Sequence, residues 1–272
     1  MFYRLKNIIL FSILISLASC KDSYQKILKS TDLDYKYDMA KKFYNKKDYF
    51  KALPLFEELL NIYKGTKSVE KIYYYYAYCY YGQGEYLMAA YHFKNLANTY
   101  PNGEYTEESH YMYAYTQYVL SPIPSLDQTY TLKAMEALQL FINLYPQSDK
   151  LEKCNRFIDK MRETLKLKSF NSAKLYYDLG YYQAASVSFE NLLKEYPDIK
   201  EKENAYYFKM KADHLFAINS IANKQRIRIE KTIKSYNDFI ERYPESKYIR
   251  EAINIFETSN KLLTKLNENG RS

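Results

Sequence analysis

The sequence predicts an all-α fold, an α-α superhelix of five helical hairpins closed by a C-terminal capping helix. Three observations predict it. Six glycines and seven prolines in 272 residues are too few to punctuate an all-β chain. One spacing pattern, typical of a single buried helix face, recurs five times. A Tyr-Pro pair closes four of the five copies, and proline ends a helix because it lacks an N–H donor.

The N-terminal residues 1–19 are predicted to be the signal peptide of a lipoprotein. Arg4 and Lys6 precede an apolar run of ten residues, followed by small residues and Cys20. A membrane-spanning helix needs about 20 apolar residues, so we expect this segment to be removed. Leu17-Ala18-Ser19-Cys20 resembles a bacterial lipobox, with Cys20 as the lipidated residue; the alternative is an ordinary secretory signal with a cysteine there by chance. The coincidence with the other signal features favours lipidation.

The rest of the chain divides into a tether, a repeat array and a tail. We expect a lipid-anchored tether over 20–30, a solenoid over 31–267 and a frayed tail over 268–272. The predicted repeats and capping helix cover about 33–65, 70–102, 107–147, 166–198, 205–245 and 246–266.

The repeat is clearest in the second helix of each hairpin. Its offsets of four, three and four place the repeated residues on one face, which we expect to be buried. The five copies are Ala52, Phe56, Leu59, Tyr63; Ala89, Phe93, Leu96, Tyr100; Ala134, Leu138, Phe141, Tyr145; Ala185, Phe189, Leu192, Tyr196; and Thr232, Tyr236, Phe239, Tyr243. Each first helix contributes a small residue that lets two helices approach closely, namely Ala40, Ala77, Ala114, Ala173 or Ala212.

The chemistry-bearing residues do not form a catalytic pattern. His92, His110 and His214 fall on three different predicted helices, without His-Glu-x-x-His or Cys-x-x-Cys spacing. We therefore expect no enzyme, no metal and no cofactor. Removal of residues 1–19 would lower the net charge from +8 to a mild +6. An exported chain does not meet nucleic acid, so nucleic acid is excluded as a partner.

Tyrosine is the unusual component, with 34 copies and no tryptophan. On the first helices of repeats one to four, residues three before, one after and four after the shared alanine form one face. These are Tyr37, Lys41, Tyr44, Tyr74, Tyr78, Tyr81, Tyr111, Tyr115, Tyr118, Phe170, Lys174 and Tyr177. Two interpretations stay open: a peptide-binding groove on the inner curve, or packing between helices. The first is favoured because residues 73–81 are aromatic on every face and because lysine seldom sits in a core.

A basic cluster marks the fifth repeat. It consists of Lys224, Arg226, Arg228 and Lys231, with Lys234 close by. The cluster is either a solvated helix face or a surface that docks an acidic partner, and nothing in the local sequence separates the two.

The hairpins resemble the tetratricopeptide repeat. The second repeat fits best, with Tyr73, Tyr76, Ala77, Tyr80, Gly84, Tyr86, Ala89, Phe93 and Pro101 in the signature positions. The whole mature chain is similar to the BamD family, the tetratricopeptide lipoproteins of the outer-membrane β-barrel assembly machinery. The resemblance rests on Cys20, the Tyr-Pro ends, Asp127-Gln128 with Thr131, and residues 173–197.

The resemblance implies a non-enzymatic scaffold, anchored in the outer membrane and facing the periplasm. Its N-terminal repeats would receive unfolded barrel precursors, and its C-terminal repeats would dock on the periplasmic domains of a BamA-like insertase. Family members often carry arginines for that contact where this chain has Ser186 and Ser188, so those contacts are not carried over. The alternative is another tetratricopeptide lipoprotein that acts as an adaptor in cell-envelope or division complexes.

Overall fold

The structure is a computed structural model that describes residues 24–269. Every regular element in this range is an α-helix, which confirms the all-α prediction. The predicted signal peptide and the lipidation site Cys20 lie outside the described residues. None of the helices within 24–269 combines the length and the apolar character needed to cross a bilayer.

The helices form five hairpins and a closing helix. A short helix, α1, is described over 24–28. The hairpins are α2 (Leu33–Asn45) with α3 (Tyr49–Ile62), α4 (Val69–Gln83) with α5 (Tyr86–Thr99), α6 (Thr106–Leu120) with α7 (Thr129–Leu144), α8 (Leu151–Asp178) with α9 (Tyr182–Glu195), and α10 (Lys202–Ile218) with α11 (Ala222–Arg242); α12 (Ile249–Asn269) follows them.

The hairpins belong to two compact units. Unit 1 contains the described residues up to Ser121 together with Thr129–Phe157. Unit 2 contains Pro122–Gln128 and the described residues from Ile158 onward. The long helix α8 therefore contributes to both units.

The predicted stripe of the second helices forms the core. Phe56, Phe93, Phe141, Phe189 and Phe239 are all fully buried, as are the small residues that begin each stripe. Four of these five helices end directly before the tyrosine of a Tyr-Pro pair, and the fifth, α3, ends before Tyr63 in the same way. The spacing pattern therefore locates both the buried face and the end of each helix.

The turns of the first, second and fourth hairpins each contain a left-handed residue. Gly84 and Gly180 have φ values of 81° and 79°, and Lys47 takes the equivalent place in the first hairpin with φ 60°. In all three turns the next residue donates its N–H to a carbonyl five residues back, which closes the helix end. Glycine suits this position because it has no Cβ to oppose a positive φ.

Three predicted boundaries differ from the structure. The first helix of the fourth hairpin begins at Leu151, not near 166, because Cys154, Phe157 and Met161 continue a helical apolar stripe that the repeat pattern does not contain. The second helix of the fifth hairpin, α11, begins at Ala222, ten residues before the Thr232 with which the predicted stripe starts. The closing helix begins at Ile249 and reaches Asn269, past the predicted end at 266.

Candidate protein-binding surface

The predicted aromatic residues of the first three hairpins come together in unit 1. Ring contacts run without interruption through Tyr44, Tyr75, Tyr74, Tyr78, Tyr81, Tyr115, Tyr118 and Phe157, with consecutive centroids 4.2–6.3 Å apart. We call these eight residues, together with Tyr37, Lys41 and Tyr111, the tyrosine face. Tyr75 and Phe157 are absent from the predicted set. Phe157 could have been found by following the apolar stripe of α8 back to Cys154.

The rings of the tyrosine face are half-buried, except that of Tyr111, which is only 5% exposed. Tyr44 illustrates the arrangement: its ring lies 6.4 Å from the buried ring of Phe56 and 4.9 Å from that of Tyr75. Each half-buried ring thus packs through one side and leaves the other accessible. The same side chains therefore pack between helices and also leave ring surface accessible for binding.

Hydrogen bonds fix the centre of the face. The Tyr78 hydroxyl donates to Glu108 Oε1 at 2.6 Å, and Lys150 Nζ lies 3.3 Å from the other carboxylate oxygen. Burial and the neighbouring Glu108 carboxylate raise the pKa of Tyr78 far above its ordinary value. Burial likewise raises the pKa of Tyr81 to about 12. These hydroxyls stay protonated at physiological pH, so the face offers neutral donors and apolar ring surface.

Two lysines add positive charge to the tyrosine face. Lys41 Nζ lies 5.5 Å from the centroid of the Tyr37 ring. Lys153 Nζ lies within 5.2–5.8 Å of the centroids of Tyr111, Tyr115 and Phe157. Such cation–π contacts hold an ammonium group over the ring faces. Lys153 is absent from the predicted set because the fourth hairpin begins earlier than predicted.

The predicted residues of the fourth hairpin, Phe170, Lys174 and Tyr177, lie in unit 2. Phe170 packs on Phe189 with 5.8 Å between centroids, and Tyr177 packs on Phe208 at 5.3 Å. Lys174 Nζ lies 4.8 Å from the Phe208 centroid and also pairs with Asp178. These side chains are grouped around Phe208, which the sequence prediction did not include.

The fifth hairpin continues this group. Its residues align with those of the second hairpin differently from the way the sequence pattern suggests. In the second hairpin Glu70 accepts a hydrogen bond from the turn that follows, and in the fifth hairpin Glu203 does the same. This correspondence places Tyr207 and Lys211 where the second hairpin has Tyr74 and Tyr78. Ala212, the alanine of the sequence pattern, thus lies two residues past the true equivalent of Ala77.

The basic cluster of α11 does not form a single open patch. Arg228 stacks on Phe216, 3.8 Å from its centroid, and bonds to Ser220 Oγ. Lys231 contacts Asp213 at 3.1 Å. Lys224 and Arg226 are exposed, and Arg226 pairs with Glu230 at 3.3 Å. The four predicted docking residues thus divide between internal contacts and solvent.

Asp213 is the centre of a buried polar cluster in unit 2. Its carboxylate is 1% exposed and accepts hydrogen bonds from the hydroxyls of Ser186 and Ser235, while Lys209 and Lys231 lie 3.0 and 3.1 Å away. Burial acts to raise the pKa of Asp213, but the two lysines and two hydroxyls together hold it below its ordinary value. Because both serines donate to the carboxylate, neither is prepared as a nucleophile.

The three histidines lie on different helices and have separate surroundings. His92 on α5 is enclosed by the rings of Tyr73, Tyr76, Tyr80 and Tyr91, with centroids 4.9–5.8 Å away, and burial lowers its pKa to about 4. His110 Nδ1 lies 2.9 Å from the Tyr145 hydroxyl, and His214 Nδ1 lies 3.3 Å from Ser259 Oγ. Within residues 24–269, no three His, Cys, Asp or Glu side chains are grouped to hold a metal ion. Cys79 and Cys154 are buried free thiols.

Comparisons with known proteins identify a family. The profile of YfiO, described as an outer membrane lipoprotein, matches residues 31–227 and 176–268. No protein of curated function matches the chain. Among solved structures, the crystal structure of the P58(IPK) TPR domain is similar at 15% identity over 91% of this chain and 68% of that chain, with a TM-score of 0.41. Since the profile matches span nearly all described residues, this chain belongs to the YfiO family of outer membrane lipoproteins.

Proposed function

We propose that this protein is a non-catalytic adaptor of outer-membrane protein assembly, which binds unfolded β-barrel precursors and docks on a BamA-like insertase. The single observation that carries the proposal is the tyrosine face, a continuous half-open aromatic surface across the first three hairpins and the start of α8. Membership of an outer membrane lipoprotein family and the resemblance to the BamD family support it.

The chemistry of the face suits the strands of a barrel precursor. Transmembrane β-strands alternate apolar and polar side chains and carry aromatic residues at both membrane interfaces. Tyrosine offers a large apolar ring and a hydroxyl donor at low rotamer cost, so a row of tyrosines tolerates varied extended segments. Lys41 and Lys153 add charge that polar residues of the precursor can contact.

Anchoring and docking complete the proposal. Cys20 would carry acyl chains that hold the protein on the outer membrane, with the hairpins in the periplasm, since two or more chains bind a membrane durably. On α11, Lys224, Arg226 and Lys231 are all exposed, but Lys231 also contacts the buried Asp213. We therefore assign Lys224 and Arg226 to the docking of an acidic surface on the insertase. Arg228 and Lys231 serve the internal packing of unit 2.

Photo-crosslinking in cells tests the binding surface. A crosslinking residue at Tyr81 or Tyr118 should trap nascent barrel proteins, whereas one at Tyr176 or Tyr181 should not. The second pair consists of exposed tyrosines in unit 2 outside the tyrosine face, which makes it a matched control. Equal labelling at both pairs, or labelling of lipid alone, would exclude the face as the precursor site.

Co-purification tests the assembly role separately. A native detergent extract should contain a large β-barrel with periplasmic repeats. An extract that contains other envelope or division proteins in place of that barrel would favour the alternative, an adaptor of a different envelope complex. This result is independent of the crosslinking result, because it does not depend on the tyrosine face.

A further inference from the structure

A second groove in unit 1 lies between the second helices of hairpins two and three. Its walls are Leu87, Ala90, Tyr91 and Lys94 on α5, and Tyr130, Lys133, Glu136, Ala137 and Leu140 on α7. Its floor is formed by Tyr113 and Gln117 on α6. At 100° per residue, Tyr113 and Gln117 project from the opposite side of α6 to Tyr111, Tyr115 and Tyr118. The groove is therefore distinct from the tyrosine face.

The floor contains an unsatisfied polar group. Gln117 is 7% exposed, and its Oε1 accepts no hydrogen bond. A buried amide without a partner costs free energy, so such groups are normally paired. Rotation of the terminal amide can present either its oxygen or its nitrogen to the groove. Gln117 is thus able to pair with an N–H or a carbonyl of an occupant.

The walls are apolar and carry a positive excess. Leu87, Tyr91 and Leu140 are 57%, 58% and 50% exposed. Lys94 Nζ lies 5.4 Å from the Tyr113 centroid and Lys133 Nζ 5.5 Å from the Tyr130 centroid. Within the described residues neither ammonium group forms an ion pair, and Glu136 is the single carboxylate among the residues that form the groove.

We propose that this groove binds an extended, acidic polypeptide segment of a partner protein. An extended backbone exposes N–H and carbonyl groups that Gln117 can pair with, whereas a helix satisfies its own. Acidic side chains of the segment reach Lys94 and Lys133, and an apolar side chain covers Leu87 and Leu140. The proposal is independent of the precursor binding assigned to the tyrosine face.

An array of synthetic decapeptides that vary in net charge and apolar content tests this inference. The full chain, purified in detergent and labelled, should be retained most strongly by peptides that combine acidic and apolar residues. The double variant Lys94→Glu/Lys133→Glu should lose about tenfold in retention on these peptides, since like charges then face each other. Gln117→Leu should lose about fivefold through the missing hydrogen bond, and it should fold normally because it removes an unpaired buried atom.

Lys247→Glu is the matched control. Lys247 also lies over a tyrosine ring, 4.9 Å from the Tyr248 centroid, but in unit 2. It should change retention less than about twofold, as expected for an exposed charge that does not line the groove. Retention that does not depend on peptide charge, or that survives both groove variants, would overturn the proposal. An equal loss in Lys247→Glu would do so as well, because the effect would then be one of net charge.

Discussion

The second hairpin, in unit 1, and the fifth hairpin, in unit 2, share one contact with the turn that follows them. Tyr74 lies on Tyr105 with 4.5 Å between centroids, and Tyr207 lies on Tyr248 at 3.8 Å. A glutamate at the start of the next helix accepts a tyrosine hydroxyl in each case, Glu108 in unit 1 and Glu251 in unit 2. The donor differs: Glu108 accepts from Tyr78, one turn after Tyr74, whereas Glu251 accepts from Tyr207 itself and also pairs with Lys211. The ring contact and the glutamate acceptor thus recur at both places.

Beyond this shared contact the two units differ. Unit 1 continues with tyrosine rings that remain half-open, whereas unit 2 fills the space between its hairpins with the carboxylate of Asp213, two serines and two lysines. Ring packing can hold hairpins together and still present a surface. A buried ion cluster can only hold them together, because its groups are already paired. We therefore place the proposed precursor binding in unit 1, while the buried cluster of Asp213 contributes to the cohesion of unit 2.

The largest expected effect is at Asp213. Asp213→Ala leaves Lys209 and Lys231 without their carboxylate, and breaking a buried ion pair costs about 3–5 kcal/mol in the free energy of unfolding. Urea denaturation measures it. The matched control is Asp178→Ala, which breaks the more exposed pair with Lys174 and should cost under about 1 kcal/mol. Equal costs for the two variants would contradict a structural role for the buried cluster.

A pair of variants tests the contact that the two units share. Tyr78→Phe and Tyr207→Phe each remove a hydroxyl that donates to a carboxylate, and each should cost about 1.5–3 kcal/mol by urea denaturation. Both rings stay in place, so packing is preserved. A cost at one position and none at the other would show that the two hairpins are not joined by equivalent contacts.

Sequence reasoning predicts the helices and their buried faces better than it predicts the partners of each side chain. The stripe Ala89, Phe93, Leu96 followed by Tyr100 and Pro101 defines a face and an end because both depend on local geometry. The alignment of the fifth hairpin was missed because it is fixed by Glu203 and its contact with Ser246, forty-three residues later. The absence of a hydrogen-bond partner for Gln117 Oε1 could not be predicted either, because it depends on which residues surround the side chain in the folded protein.

The turn glycines should behave alike in both units, because their role is set by the backbone. Gly84→Ala and Gly180→Ala should each cost about 1–2 kcal/mol, since φ stays positive while open space surrounds the new Cβ. Lys47→Gly, at the equivalent turn, should change stability by less than about 0.5 kcal/mol, since the relief of the positive φ offsets the added freedom of the unfolded chain. Thermal denaturation separates these outcomes. Clearly unequal losses of stability in Gly84→Ala and Gly180→Ala would indicate that the backbone does not play the same role in the two turns.

The effect expected to be smallest near neutral pH, and to grow only in acid, is a pH dependence centred on His92, which is partly exposed. Its folded pKa of about 4 lies below the ordinary histidine value, so the unfolded chain binds more protons between these pH values. Stability should therefore fall as the pH drops from about 6.5 to about 4. The groups that surround His92 are tyrosines, which do not titrate in this window. His92→Phe should flatten the dependence of the melting temperature on pH. An unchanged slope of melting temperature against pH would show that other groups cause the dependence.

The most direct test of the central claim measures the affinity of the purified protein for a urea-unfolded barrel protein diluted into buffer. Tyr81→Ala/Tyr118→Ala should weaken binding by about tenfold or more, as expected for aromatic residues at the centre of an interface. Tyr176→Ala/Tyr181→Ala, which removes two exposed tyrosines in unit 2, should leave the affinity unchanged. Equal losses in the two variants, or no loss in the first, would contradict the assignment of precursor binding to the tyrosine face.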